Sequence, residues 1–130
     1  MAPKILYVED NPENRLLIRR ILVAEGYELF EAENAQELMA LLEEHHPDLI
    51  LVDLHLPGVD GFTIVRQLRQ RKDLEHVPIV ALTADVLRDT PVRCYQVGCD
   101  GYIPKPIDVD AFPKLIREFL RPVEKGSHER

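Results

Sequence analysis

Four consecutive apolar residues, Leu49-Ile50-Leu51-Val52, run without a polar interruption into Asp53. No other feature constrains the fold as much. A strand that is apolar at every position has to be buried on both faces, and a parallel sheet sandwiched between helices buries it that way. The remaining sequence repeats the theme. Ile5-Leu6-Tyr7-Val8, Tyr27 to Glu31, Val77 to Leu82 with Pro78 at its beginning, and the short Gly101-Tyr102-Ile103 all read as strands. Between them lie stretches with helical spacing. Asn11 to Glu25 carries Leu17, Ile18, Ile21 and Leu22 before Gly26 supplies a stop, and Asn34 reads as an N-cap with Glu37 three residues later, ahead of Leu38, Leu41 and Leu42. That second helix should end near His46-Pro47. A Pro57-Gly58 turn precedes a helix around Gly61 to Arg71, Thr90 and Pro91 open a short helix to Val97, and Asp108 caps a last helix to about Leu120. Five βα units result, which is an α/β fold with a parallel sheet and helices on both faces.

At 130 residues the chain matches one domain able to bury an ordinary core without metal or disulfide staples, with residues 1–122 as the folded unit and 123–130 as a polar tail. Sixteen basic against twenty-three acidic residues leave a net charge of −7, which disfavours nucleic-acid phosphates and anionic membrane surfaces. Direct nucleic-acid binding and membrane insertion are not expected, since the apolar runs are also too short to span a bilayer. Met-Ala-Pro-Lys leads straight into the first strand with no room for a signal peptide, so a cytoplasmic location is expected. Cys94 and Cys99 have no accompanying zinc-spaced pair and read as reduced, partly buried thiols.

In a sheet of this kind the binding groups collect beyond the carboxyl ends of the strands. In chain order those ends offer Glu9-Asp10, Asp53, Thr83-Ala84 and Lys105-Pro106. Taken singly, each is explained as well by a helix cap or a solvated turn. Together they are not. Two carboxylates about 4 Å apart repel by about 4 kcal/mol at an effective dielectric near 20, so Glu9, Asp10 and Asp53 can converge only around a counter-charge. Oxygen ligands without thiolate or zinc-spaced histidine point to a hard, hydrated ion, Mg²⁺. A carboxylate, a hard cation, a lysine and a hydroxyl form the apparatus of phosphoryl transfer, with Asp53 as the candidate nucleophile.

The sequence resembles the receiver domain of two-component response regulators from Lys4 to about Leu120. The resemblance is carried by Ile5 to Asn11, Asp48 to Gly61, Ala81 to Ala84 and Gly101 to Ile107. It implies a flavodoxin-like (βα)5 fold with strand order 2-1-3-4-5. It also implies that Asp53 accepts a phosphoryl group from a histidine kinase or histidine phosphotransfer protein. Asp10, Asp53 and the backbone carbonyl of His55 would hold Mg²⁺, with Glu9 acting directly or through water. Thr83 and Lys105 would contact the phosphoryl group, Tyr102 would be the switch aromatic, and the Lys105-Pro106 bond would be cis. His55 and Asp85 would stand at the pocket rim and set the lifetime of the phosphoryl group. The chemistry is that of a signalling protein which modifies and clears its own Asp53, rather than of a turnover enzyme. A downstream target protein is the expected reader, and both a stand-alone regulator and a receiver from a hybrid kinase fit.

Two other readings are open at this point. A flavodoxin-like electron carrier would need a Gly- or Ser/Thr-rich phosphate loop where this chain has Glu9-Asp10-Asn11-Pro12. A pseudo-receiver that acts only as an interaction module would usually lack one of the five site residues, and none is missing here.

Overall fold

The computed structural model describes residues 2–84 and 90–125. Its elements in chain order are β1 (Lys4–Val8), α1 (Pro12–Ala24), β2 (Glu28–Ala32), α2 (Ala35–Glu44), β3 (Leu49–Asp53), β4 (His55–Leu56), β5 (Val59–Asp60), α3 (Gly61–Arg69), β6 (Ile79–Thr83), α4 (Thr90–Val97), β7 (Gly101–Pro104) and α5 (Phe112–Lys125). One turn of 3₁₀ helix, Lys72–Leu74, follows α3. The main sheet is parallel with the order β2-β1-β3-β6-β7. Setting aside the two-residue strands β4 and β5, that is the expected 2-1-3-4-5 arrangement.

β3 and β6 are buried at every position, because helices cover both sheet faces. Leu6, Val8, Ile50, Val52 and Ala81 face one core, together with Leu38 of α2 and Ile64, Val65 and Leu68 of α3. Ile5, Tyr7, Leu49, Leu51, Val80 and Leu82 face the other, against Ile18 and Leu22 of α1 and Phe112, Ile116 and Leu120 of α5. The period-2 alternation of strand side chains divides the two sets. Cys94 and Cys99 are buried free thiols, and burial pushes the Cys99 thiol up to about 12.

Helix starts follow local chemistry. The Asn11 side chain accepts from the N–H groups of Glu13 and Asn14, and Asn34 accepts from Glu37 N–H, while Glu37 reaches back to Glu33 N–H at 2.7 Å. Asp108 accepts from Asp110 and Ala111 N–H in the turn that leads into α5.

Several boundaries differ from expectation: β6 begins at Ile79, after Val77 and Pro78, α3 ends at Arg69 rather than Arg71, and α5 starts at Phe112, a turn after Asp108. The segment after β3 is a small antiparallel hairpin in which His55 pairs with Asp60 and Leu56 with Val59, where the sequence suggested only a turn. Gly58 at its tip has φ +71, which suits the sharp reversal. α4 starts at Thr90 itself, one residue early. α5 continues past Leu120 to Lys125, so the first residues of the 123–130 segment are helical. A helix propagates through local hydrogen bonds after its apolar stripe has ended, which hydrophobic spacing cannot register. No helix among the described residues is long and apolar enough to cross a membrane.

Candidate functional site

The parallel register brings distant strand ends together. Val8 pairs with Val52, so Glu9 and Asp53 leave β1 and β3 side by side, and Asp53 in turn pairs with Leu82. Thr83 pairs with Pro104, which leaves Lys105 beside the end of β6, held by its N–H to the Thr83 carbonyl at 2.8 Å. Glu9, Asp10, Asp53, His55, Thr83, Lys105 and Pro106 lie at this edge, while Tyr102 lies within β7, paired with Ala81. Asp85 lies outside the described residues.

Among the described residues, Glu9, Asp53 and Thr83 are the buried polar ones, at 1%, 2% and 0% exposure. Glu9, Asp10 and Asp53 each offer a carboxylate oxygen within 4.8 Å of the others. Lys105 Nζ lies 3.0 Å from Glu9 Oε1 and 3.2 Å from Asp53 Oδ1, bridging from the edge strand across the pocket. The Lys105-Pro106 peptide is cis. His55 N–H donates to Asp53 Oδ1 at 3.1 Å, and its ring Nε2 stands 3.4 Å from Thr83 Oγ1. The exposed imidazole thus sits at the rim and touches the hydroxyl. Tyr102 is half-buried against the core on the α3 side.

Gly61, the first residue of α3, permits a close approach behind Asp53. A Cβ there would fall 2.5 Å from Leu54 Cα, directly after Asp53.

Three partners of the acidic turn were not read from the sequence. Tyr7 O–H donates to Glu9 Oε1 at 3.1 Å, and Asn11 N–H donates to Glu9 Oε2 at 3.2 Å. Burial, with the Glu9 carboxylate beside it, pushes the Tyr7 phenol above its ordinary range, which keeps it a neutral donor. The signal was present: Tyr7 is the one aromatic in its strand and lies two residues before Glu9, on the same side of β1. Arg15 on α1 donates to the Glu9 and Asp10 carbonyls at 2.8 and 3.2 Å, and its Nε lies 3.4 Å from Glu31 Oε1 at the end of β2. This guanidinium grips the back of the turn while the carboxylates face the pocket.

The donor set fits a hard cation. Three carboxylates against one ammonium leave two negative charges uncompensated in a largely buried cluster, and oxygen ligands of this kind suit Mg²⁺. His45 and His46 lie elsewhere, beyond the C-terminus of α2. His45 stacks on Phe30 at 4.0 Å, and His46 Nε2 lies 2.9 Å from the Asp73 carbonyl.

The main sheet is thus parallel and doubly wound, with an acidic cluster, a lysine and a hydroxyl at its carboxyl edge. Residues 5–117 match the response regulator receiver domain, and the chain belongs to that family. It is 39% identical over 120 residues to the polar-differentiation response regulator DivK of Brucella ovis, covering 92% of this chain and 98% of the relative. Chemotaxis response regulator CheY4 of Vibrio cholerae superposes with a TM-score of 0.86 at 25% identity, over 92% of this chain and 99% of that one. The receiver domain of a sensor histidine kinase from Pseudomonas aeruginosa, solved with a magnesium ion coordinated in its active site cleft, superposes with a TM-score of 0.82 at 31% identity, over 92% and 98%.

Proposed function

We propose that this chain is a phospho-accepting receiver: Asp53 takes a phosphoryl group from a phosphohistidine of a kinase or phosphotransfer protein, and the change is read by a downstream protein. One observation carries the reading. The oxygens of Glu9, Asp10 and Asp53 fall within 4.8 Å of one another with the Lys105 ammonium bridging two of them. Asp10, Asp53 and the His55 carbonyl would hold Mg²⁺, with Glu9 assisting through water. When bound, the cation neutralises oxygens of the transferring group.

The chain's own residues supply the rest. Both Asp53 contacts fall on Oδ1, so attack is assigned to Oδ2. The new O–P bond forms as the donor's P–N bond breaks, and the electron pair stays on the imidazole nitrogen. With the donor ring protonated at its other nitrogen, the leaving group is neutral imidazole. Lys105 and Thr83 meet the phosphoryl oxygens, and withdrawal of Thr83 from His55 toward the phosphoryl group opens space for Tyr102. Water later cleaves the P–O bond, returning Asp53 and inorganic phosphate, with His55 at the rim governing its approach.

Intact mass spectrometry after incubation with acetyl phosphate and Mg²⁺ tests the reading. Wild type should gain one phosphoryl group, and neither Asp53→Asn nor wild type in excess chelator should gain any. Equal labelling of the Asn variant removes Asp53 as the acceptor. No labelling of wild type from any donor leaves a pseudo-receiver.

A further inference from the structure

We infer that Tyr7 is a positioning residue of the phosphorylation site, holding the Glu9 carboxylate so that Lys105 can leave it for the incoming phosphoryl group. The inference rests on the phospho-accepting reading and adds a residue to it. Tyr7 and Lys105 donate to the same oxygen, Glu9 Oε1, at 3.1 and 3.0 Å, while the other oxygen takes Asn11 N–H. Lys105 also reaches Asp53 Oδ1 at 3.2 Å. A continuous hydrogen-bonded line therefore runs from the buried phenol through Glu9 and Lys105 to the nucleophile.

The phenol matters because Glu9 is buried. A carboxylate at 1% exposure that loses a donor has no bulk solvent to replace it and holds its remaining partners harder. When the Lys105 ammonium swings to a phosphoryl oxygen, Tyr7 and Asn11 keep Glu9 satisfied in place. Without the phenol, Lys105 is the one donor from the chain's described residues left on Oε1. The lysine is then retained by Glu9 in competition with the phosphoryl group. Packing does not explain the hydroxyl: the ring is fully buried among Ile5, Leu49, Leu51 and Leu82, where phenylalanine would fill the same space without a polar atom.

Tyr7→Phe removes the donor and keeps the ring. At saturating Mg²⁺ its labelling rate by acetyl phosphate should fall on the order of tenfold, the scale of one hydrogen bond to a buried charge, with Mg²⁺ affinity nearly constant. In wild-type protein carrying ¹³C at tyrosine Cζ, the Tyr7 resonance should move when Asp53 is phosphorylated and should move likewise in Lys105→Met. That second reading is independent of how well Tyr7→Phe folds. A labelling rate equal to wild type, or a Tyr7 Cζ resonance indifferent to both changes, overturns the role and leaves Tyr7 a core residue. Failure of wild type itself to be labelled is a different result and overturns the phospho-accepting reading instead.

Discussion

Thr83 shows how much one side chain can be asked to do. Its hydroxyl is wholly buried, lies 3.4 Å from the His55 ring, and sits at the end of a strand that is itself buried at every position. A phosphoryl group on Asp53 offers that hydroxyl an acceptor carrying formal charge, which is roughly twice as strong a partner as a neutral one. On the phospho-accepting reading proposed above, that exchange would be the differential contact that a two-state switch requires. Thr83→Ala should therefore still be labelled at Asp53, since neither nucleophile nor acidic cluster is touched, but should lose most of the phosphorylation-dependent shift of Tyr102 in NMR spectra. A Tyr102 response equal to that of wild type would take Thr83 out of the switch.

Beyond the two hydrophobic cores, arginines that grip backbone carbonyls tie elements together. Arg69, at the end of α3, donates to the carbonyls of Leu74, Val77 and Gly98 at 3.0, 3.1 and 2.8 Å and to Asp100 Oδ2 at 2.7 Å, and Asp100 also accepts from Ile79 N–H. One guanidinium thus ties α3 to the segment before β6 and to the loop between α4 and β7. Gly98 is adapted to it, with φ +113 and only 2.9 Å between the position of a Cβ and Arg69 Cγ. Arg69→Met keeps the stem and removes five donors, depriving several part-buried carbonyls of this partner. It should cost about 2 to 4 kcal/mol in denaturant unfolding and broaden amide resonances of α4 before those of α1. A loss under about 0.5 kcal/mol, the ordinary range for a surface substitution, would show that the clamp is dispensable. Arg15 does the corresponding work at the opposite end of the sheet, where it grips the Glu9-Asp10 turn.

For the molecule as a whole, the acidic pocket is a place where folding works against electrostatics. A chain of net charge −7 gathers three carboxylates within 4.8 Å and offsets them with one ammonium. A cation that binds only the folded state stabilises it by about 2.7 kcal/mol at a hundredfold excess over its dissociation constant, which for a domain of this size raises the melting temperature on the order of 10 °C. Asp10→Asn should melt higher than wild type in chelator, because a like charge is gone, and should lose most of the Mg²⁺ increment. A wild-type melting temperature indifferent to Mg²⁺ would count against the metal site.

The sequence alone determined the fold class and the inventory of the site. The uninterrupted apolar run ending in Asp53 demanded a two-sided sheet, and the residues that chemistry singled out at strand ends are the ones found at its carboxyl edge. Both inferences are local, since burial on two faces and the character of a carboxylate, hydroxyl or ammonium belong to the residue and its near neighbours. What only the tertiary structure decided are the pairings. Lys105 meets Glu9 across 96 positions, Arg69 meets Asp100 across 31, and His55 folds back on Asp60 in a hairpin that a Pro-Gly turn did not announce. The Tyr7–Glu9 spacing was legible along the strand, but that the same Glu9 oxygen also holds Lys105 was not. Such contacts depend on which strands lie side by side and in what register, and that is set by the packing of both cores at once rather than by any segment of chain.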